Sequence, residues 1–375
     1  MKPDLSVLFS PYTDPESGIT NYLLNKRVAP VQQGFYFVNT SFSADNRFLW
    51  FYCAFPPAGH IDWGRTLGVI DFKEQTVNHF PETAFGACSP LVDKDGTVYW
   101  ATQRVICRRG PLPDDTVEII GELPEEYFGE RAIKCVSTHL TFSADKKELF
   151  LDCHAGNLFF VGTIAVATKE FRLWKTFDRF YNHGQMHPSD NDLVLVAQDH
   201  FHDVCTGVKT VYEDRLWLLQ RSGDFRPIFP SPTKVTHEFW DSNGKYIYAI
   251  NNHDQFGGPG IVRITPDPLA VEIVWKGYHW HAKDFNHGQY FVCDRTLKGF
   301  FRGCPSSVHF LNCVTQKEVT MISHNPEFHT TGSMYHVDPH PHFSPDGSLI
   351  AFTTTVNGRA DLAVAFTKDC IAATT

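Results

Sequence analysis

The chain has ten cysteines but no Cys-x-x-Cys pair. They are scattered, and Cys53, Cys153 and Cys293 fall in apolar, strand-like runs. Reduced, buried thiols are the reading that follows. No stretch approaches the ~20 apolar residues of a membrane span, which excludes a helical membrane anchor. The first residues, Met1-Lys2-Pro3-Asp4-Leu5-Ser6, lack the apolar run of a signal peptide, so a cytoplasmic location is expected. Lys and Arg number 33 against 42 Asp and Glu, a formal charge of -9, with no basic run. Nucleic acid is therefore excluded as an expected partner. An anionic ligand would need a local positive site working against the global field. Walker motifs, nucleophile elbows and long helical periodicity are also missing. The Gly-rich loop from Asn251 to Gly260 has no helix after it, so it lacks the context of a phosphate loop.

What the chain does have is a repeat. A turn motif, roughly Phe-Ser-x-Asp ahead of an apolar run, opens at Phe42-Ser43-Ala44-Asp45 and recurs as Phe142-Ser143-Ala144-Asp145 and Phe343-Ser344-Pro345-Asp346. Degenerate copies stand between them. The key turn residue falls at Asp45, Asp95, Asp145, Asp190, Asn243, Asn286 and Asp346. Units of about fifty residues built from strand, turn and strand predict an all-β fold, a seven-bladed β-propeller. We expect residues 1–375 to form one such domain. A β-solenoid is the alternative, but its repeats are shorter. The strand pair Leu349–Thr355 and Asp361–Phe366 leaves the last blade incomplete. Open edges must be closed, and the segment around Leu5–Phe9 is the expected donor. The longest irregular stretch is expected at Cys107–Glu130.

The densest chemistry lies near the end, in Tyr335-His336-Val337-Asp338-Pro339-His340-Pro341-His342. Proline pushes the preceding residue toward extended geometry, so this is not a helix. In an extended chain Asp338 and His340 would share a face; with a three-residue twist they would diverge. Histidines recur at roughly equivalent positions ahead of other turns, as His139, His183 with His187, His237, and His279 with His281. Loops at one rim of a propeller converge, so these side chains are expected to meet. Such a set could bind a borderline divalent metal such as Mn, Fe or Zn, or supply a base near neutral pH. Arg215, opening an apolar strand, is expected at the rim. It would either recognise a carboxylate or phosphate or pair at the surface with Glu213 or Asp214.

The segments Arg215-Leu216-Trp217, Thr236-His237-Glu238-Phe239-Trp240 and Pro339-His340-Pro341 resemble those of the oligogalacturonate lyases, cytoplasmic seven-bladed propellers that cleave short pectin fragments by β-elimination. The Gln198-Asp199-His200-Phe201-His202-Asp203 segment also aligns. The resemblance implies that His237 is the base and that Arg215 assists at the substrate carboxylate. His183 and His202 are expected as further substrate-binding residues, and as the next candidates for the base. The resemblance also implies one divalent ion, manganese first, held by His281, Asp338 and His340. In the family two of these ligands come from a Gln-x-x-His-Pro-His segment; its second His matches His340, its first falls on Asp338 here, and its Gln falls on Tyr335. His336, or else His342, would then complete the shell. The expected partner is an acidic oligosaccharide; the oligomeric state is left open. Two other functions stay open on this scaffold: a non-catalytic binding module, and a metal-dependent hydrolase or lactonase.

Overall fold

The computed structural model describes residues 3–203, 206–296, 305–328 and 335–375. Seven antiparallel sheets form a ring, the seven-bladed propeller that the repeat predicts. Blade 1 runs Val31–Gln33, Phe48–Ala54, Trp63–Asp71 and Thr76–Gly86 from its inner strand outward. Blades 2 to 6 repeat this order, with inner strands at Leu91–Val92, Ile133–Val136, Tyr181–Met186, Thr236–Trp240 and His281–Phe285. The irregular stretch expected at Cys107–Glu130 holds the outer strand of blade 2, Glu118–Glu122. No helix among the described residues is long and apolar enough to cross a membrane.

The repeated turn has a physical basis. The Ser43 hydroxyl donates to Asp45 Oδ1 at 2.7 Å, and the same oxygen accepts the Arg47 N–H at 2.9 Å. Ser43 Oγ in turn accepts the Phe48 N–H at 3.0 Å. Ser143 with Asp145 and Ser344 with Asp346 make the same set. Side chains thus satisfy the amides that a tight turn leaves unpaired. The strands that follow are sandwiched between neighbouring blades and are buried on both faces, as Phe48–Ala54 and Leu349–Thr354 show. That is why they read as unbroken apolar runs rather than as alternation.

Closure differs from the expectation. Leu5 and Leu8 are buried but lie in turns before the first strand. The donated element is a hairpin, Phe9–Thr13 with Thr20–Leu24, and its second strand pairs with Asp361–Phe366. Asp14 sets the turn between them by accepting the Glu16 and Ser17 amides at 3.1 and 3.0 Å. Blade 7 thereby has five strands.

Several histidines are buried parts of this frame. His342 exchanges a 2.6 Å hydrogen bond with Ser41 Oγ and donates from Nδ1 to the His340 carbonyl at 3.1 Å. His154 donates to the Gly156 carbonyl at 2.7 Å. Burial pushes both down to about 4, from an unfolded value near ~6.5. A group depressed in the folded state contributes stability above its unfolded pKa and loses it as pH falls toward the folded one. His279 and His309 act in the same direction, at about 3 and about 4. Asp152, raised by burial to about 6, opposes them. Stability is therefore expected to fall on acidification between about pH 6.5 and 4. A urea midpoint at pH 5 equal to that at pH 7 would contradict this.

Candidate active site

Backbone irregularities in the inner strands aim the chemistry inward. The ladder of blade 4 shifts register between Asn182 and Gln185, and that of blade 5 between Thr236 and Phe239. The residues inside these bulges, His183 and His237, have φ of 52° and 55°. A bulge re-aims its side chain and terminates pairing locally, and positive φ in a non-glycine residue is a strained state that surrounding contacts must hold. Gly184 makes the first of these possible, because a Cβ there would stand 2.1 Å from the Phe150 ring. In blade 3 the break spans Ser137–Leu140 and carries Thr138 and His139.

These residues line one cavity of about 370 Å³ at the centre of the ring. Its wall includes Thr138, His139, Asn182, His183, His237 and His281, and also His336, Asp338 and His340. Asp338 and His340 converge, and His336 joins them, but not along an extended backbone: His336 and His340 stand at φ of 50° and 45°. One ligand atom each from His281, His336, Asp338 and His340 all lie within 4.8 Å of one another. His342 points away from this group into the hydrogen bonds described above. Tyr335 is in the core, and its carbonyl accepts from Gln33 Nε2 at 2.9 Å.

The surroundings of the four fit a cation. His281 Nδ1 lies 2.9 Å from Asp294 Oδ2, and both are buried. Asp294 also accepts the backbone N–H groups of His281 at 2.8 Å and His340 at 3.1 Å. His281 thus has its tautomer and ring plane fixed, with Nε2 as the ligand atom. His340 Nε2 is buried and has no hydrogen-bond partner among the described residues. A buried imidazole nitrogen in that state costs stability unless something supplies a positive charge or a proton. Burial, and then the charges of His281 and His336, hold His340 well below the ordinary imidazole range, in its ligating form. Burial alone would raise Asp338, but the hydrogen bond from His336 and nearby histidine charge outweigh it and hold it at about 2. Three imidazoles and a carboxylate suit Mn, Fe or Zn. Losing Asp294 is expected to weaken divalent metal binding about 10–100-fold. Manganese titrations of Asp294→Ala and His340→Ala would check this, the second losing more; equal affinity in all three proteins would refute it.

His237 stands against this group. Its ring centroid is 4.5 Å from that of His281 and 4.5 Å from Trp280. Thr236 Oγ1 lies 3.1 Å from His237 Nδ1. Burial first, and then the charge of His281, push His237 well below the ordinary imidazole range. Arg215 acts in the same direction but contributes less.

Arg215 is not at the rim. It is buried and is missing from the described cavity wall. Nε and Nη2 each donate to Glu238 at 3.2 Å, and Nη1 lies 3.3 Å from Asp199. The surface pairing with Glu213 or Asp214 does not form; Glu213 pairs with Arg179 at 3.0 Å instead. His202 is not brought in either. It is exposed, opposite Lys209 in a two-stranded hairpin, and does not line the cavity. His187 is likewise structural, bound to the Gly244 carbonyl at 2.9 Å.

Sequence reading missed other members of the wall. Tyr36 packs its ring 4.8 Å from His340 and 5.2 Å from His139, joining the two ends of the site. It stands further ahead of the first turn motif than the histidines stand ahead of theirs, so the offset that singled them out did not reach it. Arg65 and Lys134 add positive charge to the wall. The Arg65 guanidinium lies over the rings of Tyr52 and Phe85, at 4.7 and 5.5 Å. No spacing rule marked either residue.

Two solved structures resemble the chain throughout. An oligogalacturonate lyase in complex with manganese superposes with a TM-score of 0.74 over 96% of each chain, at 16% identity. The oligogalacturonate lyase of Vibrio parahaemolyticus gives 0.75, again over 96% of each, at 15% identity. The likeness establishes the fold. The propeller domain of a trilobed protease from Pyrococcus furiosus is more distant, at 0.51 and 10% identity over 88% of this chain and 95% of that one. No family model and no curated protein sequence matches the chain.

Proposed function

We propose that the protein is a metal-assisted lyase that cleaves a uronate-containing oligosaccharide by β-elimination. The observation that carries this is the placing of His237 against a three-histidine, one-carboxylate group within one cavity. The proton on C5 of a uronate is weakly acidic, and removing it builds negative charge on the adjacent carboxylate. A divalent ion held by His281, His336, Asp338 and His340, manganese first, supplies a Lewis acid for that carboxylate. His237 is neutral and takes the C5 proton at the nitrogen that does not face Thr236. The C5–H electrons form the C4–C5 double bond as the bond from C4 to the leaving oxygen breaks. Arg65 and Lys134 give the wall the positive charge that an acidic oligosaccharide needs in a protein of net charge -9. The lyase structures of the same fold add to this reading. The described cysteines are unpaired and mostly buried, in accord with the cytoplasm.

The test is an absorbance scan in the ultraviolet band of unsaturated uronates, over acidic oligosaccharides, with manganese present. An increase with at least one uronate oligomer is expected. Release of reducing ends with no such band would replace elimination by hydrolysis.

A further inference from the structure

Arg215 touches the cavity wall through Asp199 and through His183, and the second contact determines which nitrogen of that histidine carries hydrogen. Arg215 Nη2 lies 2.7 Å from His183 Nδ1. A guanidinium nitrogen can only donate, so Nδ1 must accept, and the single ring hydrogen of a neutral His183 sits on Nε2. The nearest carboxylate oxygen, Glu238 Oε1, is 3.6 Å from Nδ1, beyond hydrogen-bond length, and Glu238 is itself bound to Arg215. The ring is held on its other sides as well. It stacks on His139 with centroids 4.4 Å apart and planes 9° from parallel. The His183 backbone N–H donates at 2.7 Å to Thr138 Oγ1, whose hydroxyl is anchored on Asp152 at 2.9 Å. Asn182 donates to Asp199 at 3.0 Å on the far side. With Nδ1 turned to the buried arginine, the opposite edge of the ring faces the cavity that His183 lines.

We infer that Arg215 is a positioning residue: it holds His183 as a neutral imidazole whose Nε2–H projects into the cavity as a fixed hydrogen-bond donor for an oxygen of the substrate. The role in turnover rests on the lyase reading; the tautomer does not. A fixed donor aimed at an oxygen that gains charge in the transition state acts without reorganising. His183 in this state has no lone pair to offer at Nε2, so it is not the base, and the base is left to His237. The arginine reaches the substrate oxygen through the imidazole, one step removed.

Ring-nitrogen NMR of the full chain labelled with 15N-histidine tests the tautomer at neutral pH, with His183→Gln identifying the signal. A protonated Nε2 and an unprotonated Nδ1 are expected. A protonated Nδ1, or protons on both nitrogens, would overturn the inference. In Arg215→Met the two tautomers should mix; an unchanged spectrum would remove Arg215 from the account. On a uronate oligomer, His183→Ala should lose about 10²-fold in turnover. His183→Gln, which keeps an N–H near the place of Nε2, should recover about tenfold of that. Wild-type turnover in both variants would end the substrate role. If the wild-type protein cleaves no uronate oligomer, the lyase reading fails, and the tautomer still stands or falls on the spectrum.

Discussion

His237→Ala is expected to lower turnover on a uronate oligomer about 10²–10⁴-fold while the protein folds normally and keeps its metal. The side chain lies in a bulge, so its removal leaves the ladder on either side intact. It packs on Trp280 and His281 without being one of the four convergent ligands. Its loss should fall on the chemical step, lowering kcat and kcat/KM together. Its depressed pKa keeps it unprotonated at neutral pH, so no activity is lost to protonation there. The same depression makes it a weaker base, which is tolerable if the carboxylate is well stabilised as the proton leaves. Kinetics of the variant alongside circular dichroism and elemental analysis checks this. Near wild-type turnover would move the base to another residue of the wall.

The largest effect on stability is expected from Glu238→Ala. Glu238 is buried and takes two hydrogen bonds from Arg215, which is buried beside it. Burial alone would raise Glu238, but the charge of Arg215, and then its hydrogen bonds, outweigh it and hold the carboxylate well below its usual range. Truncating Glu238 leaves the guanidinium with the partly exposed Asp199 as its remaining carboxylate partner. Breaking a buried pair from one side costs about 3–5 kcal/mol. Glu238→Gln, which keeps an acceptor oxygen, should cost less. Denaturant unfolding of both variants decides, and an alanine variant as stable as the glutamine variant would contradict the pairing described.

The propeller was legible because its turn is a local device. Ser, Asp and the strand after them satisfy one another within six residues, so the pattern survives in sequence as Ser43-Ala44-Asp45 and its later copies. Closure was less legible. Pairing of Thr20–Leu24 with Asp361–Phe366 joins opposite ends of the chain, and nothing in either segment names the other. Three of the four convergent residues were found because they crowd into one short segment ahead of the last turn, and His281 because it stands just ahead of the sixth, although proline geometry left the direction of Asp338 and His340 open. Arg215 was misplaced because a charge at a strand start ordinarily faces water; its buried partner Glu238 lies on the next blade. Arg65 and Lys134 carried no local signal, since only closure of the ring makes them neighbours of the histidines.

Metal-assisted β-elimination makes a double bond each time it makes a chain end. The most direct measurement follows ultraviolet absorbance and new reducing ends together on one uronate oligomer, with manganese and after chelation. We expect one chromophore per new end, and loss of both signals on chelation with return on adding manganese. New ends without the chromophore, or cleavage that persists unchanged in the chelated protein, would contradict the account.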